Sequence, residues 1–157
     1  MEREEVCYKR EAALEKTIEM EQKSFDLYKK VYQLAKERHI KDLLKELALE
    51  ELEHKYTLER AFFEETVALH DAGLNEGPSM NLSLILEEKT LNENATLQDT
   101  LIYAIHDEKR AVDFYEKMAS QCGVAPMERI FKKLQQDEVN HLARLEKLYE
   151  NMYMQNM

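Results

Sequence analysis

Apolar residues recur at alternating three- and four-residue spacings through four stretches of the chain, 5–36, 40–71, 96–121 and 126–153, which predicts four long amphipathic helices. Two of the joints are short. The connection over 73–95 is long and holds Gly73, Gly77 and Pro78, followed by an apolar piece from Met80 to Leu91 that predicts a turn or two of helix. Thr96 with Asp99 three residues on predicts a helix start, and Gly123 with Pro126 predicts a stop and restart. The expected architecture is one all-α domain over 1–157: a hairpin over 5–71, a crossover over 73–95 and a second hairpin over 96–153.

Shifting the sequence by 87 positions lays one hairpin on the other. Ile18 falls on Ile105, Glu21 on Glu108, Asp26 on Asp113, Tyr28 on Tyr115, Leu47 on Leu134, Glu51 on Glu138, His54 on His141 and Leu58 on Leu145. One constant offset without insertion, pairing a rare histidine with a histidine, marks a duplicated helical hairpin.

The four stripes show what is unusual. The first runs Leu14, Ile18, Glu21, Phe25, Tyr28, Tyr32, Ala35, and the second Leu44, Leu47, Glu51, His54, Leu58, Phe62. The third runs Leu101, Ile105, Glu108, Val112, Tyr115, Ala119, Cys122, and the fourth Phe131, Leu134, Glu138, His141, Leu145, Leu148. Four glutamates and two histidines thus sit mid-stripe with no Lys or Arg among them. Burying ionised carboxylates without compensation costs several kcal/mol each, so a cation is expected in their midst. The register agrees: antiparallel helices turning beside Gly123 bring Glu108 level with the midpoint of Glu138 and His141, and the same geometry puts the first turn near Lys36. Four carboxylates carry −4 and two divalent ions +4, so the filled site is close to neutral.

A Glu from each of two helices with Glu-x-x-His from each of the other two is the pattern of ferritin-like di-iron and di-manganese bundles. Glu21, Glu51, His54, Glu108, Glu138 and His141 are therefore the expected metal ligands, holding two ions. Iron is the first expectation, and manganese and zinc suit the same ligands. Glu19 competes with Glu21 but fails both the 87-residue shift and the stripe. Tyr28 and Tyr115, two turns beyond Glu21 and Glu108, are expected first as core aromatics and second as hydrogen-bond partners of the site or radical relays. Glu50 and Asp137 each precede a candidate ligand and fit either solvated surface or an orienting role for the opposing half's histidine. His39, His70 and His106 lack partners at ligand spacing and are expected at the surface. Cys7 and Cys122 are expected far from the centre, and Met152, Met154 and Met157 in a frayed tail.

The chain resembles the rubrerythrin branch of the ferritin-like superfamily through Ile18 to Glu21, Asp26 to Tyr28, Glu50-Glu51-x-x-His54, Asp107-Glu108, Asp113 to Tyr115 and Asp137-Glu138-x-x-His141. The resemblance implies terminal ligands at Glu21 and Glu108, bridging ones at Glu51 and Glu138, and one metal for each histidine. It also implies peroxide or dioxygen as oxidant. Two departures stand out. No CxxC pairs mark a rubredoxin-like domain, so electrons are expected from an external donor protein. Ala111 occupies the position where rubrerythrins carry a further glutamate, which weakens the expectation of an efficient peroxidase. Sequestration of iron without turnover, or a purely structural metal site, is the alternative.

Composition narrows the partners. A net charge of −10 with basic residues scattered among glutamates excludes nucleic acid, and no apolar run approaches the ~18 residues of a membrane span. The charged opening has no signal-peptide pattern, so a cytoplasmic location is expected, and so is a homodimer.

Overall fold

A computed structural model describes residues 10–64, 79–121 and 125–155. Four helices form the described body: α1 (Arg10–Leu34), α2 (Arg38–Phe63), α3 (Leu97–Gln121) and α4 (Ala125–Tyr149). No strand occurs among the described residues. α1 pairs with α2 and α3 with α4, while α1 lies beside α3 and α2 beside α4. This is the expected ferritin-like four-helix bundle of two antiparallel hairpins.

Local chemistry sets the boundaries. Thr96 and Asp99 close a reciprocal cap at the start of α3: Thr96 Oγ1 accepts from the Asp99 amide at 3.0 Å, and Asp99 Oδ2 accepts from the Thr96 amide at 3.4 Å. The first turn spans 35–37, centred on Lys36 as the register requires. Pro126 falls in the first turn of α4, where its missing N–H costs nothing. Gly123, Gly73, Gly77, Pro78, Cys7, Cys122, His70 and Met157 lie outside the described residues.

Two apolar clusters fill the bundle. One joins Val31, Ala35, Ile40 and Leu44 near the first turn to Leu101, Ile105, Leu145 and Leu148. The other joins Leu14, Leu58 and Ala61 to Tyr115, Met118, Met127 and Phe131 at the opposite end. The two hairpins thus run head to tail. Phe62, late in α2, packs on the second cluster, and Leu97, first in α3, packs on the first cluster, so α2 ends and α3 begins at opposite ends of the bundle. The described part of the crossover holds a single 3₁₀ turn, Leu82–Leu84, inside the apolar piece over 80–91 where a turn or two of helix is expected.

Three ties pin this segment to the second hairpin. The carboxylate of Glu146, fully buried in α4, accepts from Ser79 Oγ at 2.7 Å, the Met80 amide at 3.2 Å and the Leu82 amide at 2.7 Å. His106, expected at the surface, is half-buried and bonds the Leu86 carbonyl oxygen through Nε2 at 2.7 Å. Arg110 holds both oxygens of Glu88 at 2.9 Å.

Other expectations are corrected at the helix ends. Tyr32 points outward with Lys41 above its ring, because it lies in the last turn before the chain reverses. The tail is no frayed end: α4 continues as a π-helical turn, Glu150–Met154, and Met152, Tyr153 and Met154 pack on the first cluster. Helical spacing from Leu148 and Tyr149 carries that apolar face onward. His39 is exposed, as expected.

Replacing Glu146 by Ala is expected to lower stability by about 3 kcal/mol, since three donors lose a charged acceptor in a buried setting. Urea unfolding checks this, and a loss under about 1 kcal/mol contradicts it.

Candidate metal centre

The six mid-stripe groups converge between the two apolar clusters. Glu21, Glu51, Glu108 and Glu138 are each at most 2 % exposed, and His54 and His141 are 7 % and 2 % exposed. They form two overlapping sets able to hold a cation: Glu21, Glu51, His54 and Glu138 in one, and Glu51, Glu108, Glu138 and His141 in the other. Within each set the candidate ligand atoms lie within 4.8 Å of one another. Glu51 and Glu138 belong to both. Glu19 is exposed and takes no part.

Each set mixes the two hairpins, because the contacts cross between halves. His54 Nδ1 faces Glu138 Oε1 at 3.0 Å and Glu21 Oε2 at 3.5 Å. His141 Nδ1 faces Glu51 Oε1 at 2.7 Å, Glu138 Oε2 at 3.4 Å and Glu108 Oε1 at 3.8 Å. The two imidazoles stack at 5.7 Å between centroids, 15° from parallel. Their outer nitrogens turn away from the centre. His54 Nε2 meets Asp137 Oδ2 at 3.0 Å and His141 Nε2 meets Glu50 Oε2 at 2.6 Å, so both residues preceding a candidate ligand adopt the orienting role. With an N–H donated outward at Nε2, each Nδ1 is the ring nitrogen turned to the inner carboxylates, bonded to Glu138 and Glu51, and the one that would be free for a cation once its proton leaves.

The tyrosines are more than core aromatics. Tyr28 donates to Glu108 Oε1 and Tyr115 donates to Glu21 Oε1, again across the halves. Adding 87 turns the first bond into the mirror of the second, as it does for the two histidine bonds. The spacing of Tyr28 and Tyr115 gave their face but not the partner at the hydroxyl.

Burial raises Glu51 well above the usual carboxylate range, helped by the charges of Glu138, Glu21 and Glu108. Glu108 is raised likewise by burial and then by Glu138. Burial also opposes the charged form of Glu138, but the charge of His141 and bonds from Glu108 and both histidines outweigh it and hold Glu138 well below that range. For His54, burial disfavours protonation, yet the Glu21 charge and bonds to Asp137, Glu138 and Glu21 raise it well above an ordinary histidine. His141 behaves the same way, with Glu138 the largest raising influence. Burial lifts both tyrosines too. The cluster thus holds protons where it would otherwise hold uncompensated charge.

Whether two cations fit is decided by the carboxylate oxygens. The Oε2 atoms of Glu21, Glu51, Glu108 and Glu138 are buried and have no hydrogen-bond partner, although those of Glu21 and Glu138 lie within 3.5 Å of a histidine Nδ1. Orphaned buried oxygens are rare in native proteins. Four of them beside two inward imidazole nitrogens are the donor set of a hard or borderline divalent ion.

Fold and cluster together define the class: a four-helix bundle with a buried carboxylate and histidine cluster that could hold two metal ions. The comparison with protein families narrows this. A family model described as Rubrerythrin matches residues 12–149, and the chain belongs to the rubrerythrin family. No curated protein and no solved structure matches the chain. Among the described residues no helix is long and apolar enough to cross a membrane.

The pKa directions fix a sign. Groups raised in the folded protein contribute stability that is complete below their unfolded value and is lost as pH climbs through the folded one. For His54 and His141 that loss begins at about pH 6.5, and for Glu51 and Glu108 at about pH 4.3. The lowered groups Glu138, Glu50 and Asp137 act oppositely, but only near and below about pH 4.5, where unfolded carboxylates take up protons. Chelator-stripped protein is therefore expected to lose stability as pH rises from about 6.5, and divalent ions to reverse the slope, because protons compete with them for the same atoms. Denaturant midpoints measured across that range check this, and a stripped-protein midpoint that rises with pH contradicts it.

Proposed function

We propose that the chain is a di-iron carboxylate oxidoreductase acting on peroxide or dioxygen and re-reduced by an external donor protein. In this reading Glu21 and the Nδ1 of His54 hold one ion, Glu108 and the Nδ1 of His141 hold the other, and Glu51 and Glu138 reach both. The four partnerless Oε2 atoms, in a cluster that two inward histidine nitrogens complete, carry it. Two ferrous ions bound there would supply the two electrons that reduction of peroxide requires.

The protein's own groups do the rest. Asp137 and Glu50 hold the outer histidine protons and so turn Nδ1 inward, where loss of its own proton would free it for a cation. Tyr28 and Tyr115 fix one oxygen of Glu108 and Glu21, leaving the other oxygen to ligate. The apolar clusters above and below limit water and lower the local dielectric, which strengthens attraction between carboxylate and cation.

One observation favours sequestration without turnover as the second reading. Ala111, buried one helical turn beyond Glu108, supplies no carboxylate at the position where the rubrerythrin pattern has one.

Stopped-flow oxidation of ferrous-loaded protein distinguishes the two. Oxidation by hydrogen peroxide faster than that of free Fe²⁺, and faster than by dioxygen, is expected of a peroxidase. Rates equal to free Fe²⁺ with both oxidants overturn the enzyme reading and leave the store. The Glu51→Ala, Glu138→Ala double variant is expected to lose both ions in a Co²⁺ titration, and retention of two equivalents contradicts the ligand assignment.

A further inference from the structure

The inner ring of the centre obeys the 87-residue repeat, whereas its outer ring does not. Positions 46 and 133 are equivalent under that shift, yet one is Glu and the other Lys. Both act on the carboxylates behind the histidines. Outside His141, Arg144 bridges Glu50 Oε2 at 3.2 Å and Glu46 Oε2 at 3.0 Å, so two carboxylates share one cation. Outside His54, Lys133 meets Asp137 Oδ1 at 2.6 Å, so one carboxylate has one cation. The first group carries a net −1 and the second is neutral. The Thr57 that corresponds to Arg144 restores no charge on the other side. Asp107, whose counterpart is Met20, leans the same way from beside Glu108, held by Ser24 at 2.9 Å and by Arg110 at 3.9 Å.

We propose that this imbalance makes the two metal positions unequal, with the Glu108 and His141 position binding a divalent cation first and Glu46 and Lys133 acting as positioning residues that set the order. The inference rests on the di-metal reading above. It needs no difference in the inner ligands, only Coulomb attraction that solvent screens in part. Asp137 with Lys133 and Glu50 with Arg144 are largely buried, while Glu46, which carries the odd charge, is 55 % exposed and acts through the buried Arg144 that it shares with Glu50. A net unit charge acting on a divalent ion over several ångströms of such a medium corresponds to about a tenfold difference in affinity.

Metal-stripped full-length protein titrated with Co²⁺ is expected to take up two equivalents in two resolved phases about tenfold apart. Crystals grown with one equivalent should show the anomalous cobalt peak beside His141 Nδ1. Removing the negative charge with Glu46→Gln narrows the gap, removing the positive one with Lys133→Gln narrows it as well, and the double variant, neutral behind His141 and −1 behind His54, reverses the order. Neither side chain belongs to the inner set, so all three variants should still bind two equivalents. In the natural chain a first peak beside His54 or equal occupancy of both positions, or in the double variant a first peak that stays beside His141, overturns the proposal while leaving the di-metal reading intact. Failure to bind any divalent ion overturns both.

Discussion

Mutual repulsion among four buried carboxylates is the constraint around which this bundle is arranged. Glu21, Glu51, Glu108 and Glu138 meet in a layer sealed above and below by apolar side chains, with no Lys or Arg in contact. A desolvated carboxylate costs several kcal/mol, and four together cost more than the sum because like charges repel in a weakly screening interior. Protons on the cluster relieve part of this cost. Two divalent ions, in the proposed reading, would relieve the rest and satisfy the four orphaned oxygens in the same act.

The duplicated hairpin explains how such a layer is built. Neither hairpin completes a cation-binding set alone, since each set takes three residues from one half and one from the other. The supporting bonds cross in the same way: Tyr28 reaches Glu108, Tyr115 reaches Glu21, His54 reaches Asp137 and His141 reaches Glu50. Docking the hairpins and assembling the centre are one event. The described part of the crossover is anchored on Glu146, and its Leu82 packs in the apolar cluster that the two hairpins share.

Much of this was legible in the sequence because charge in an apolar stripe is costly and therefore informative. Glu21 and Glu108 stood out against Leu and Ile neighbours, and Glu51, His54, Glu138 and His141 did so at a spacing that points both members of each pair at one spot. The turn at Lys36 followed from register alone. What periodicity could not supply was the identity of partners across the core. It placed Tyr28 and Tyr115 inside without naming the oxygen at each hydroxyl, and left Glu50 and Asp137 between surface and support. Glu146 escaped notice because its donors belong to an irregular segment with no periodic signal. The Met152 to Met154 turn did so because methionines near a terminus look like a tail until helical spacing from Leu148 is followed through.

Elemental analysis of protein purified with no added metal tests the central claim most directly. The account predicts two transition-metal atoms per chain, with iron foremost. Folded protein that contains none, and whose thermal midpoint is unchanged by added Fe²⁺, Mn²⁺ or Zn²⁺, would contradict it.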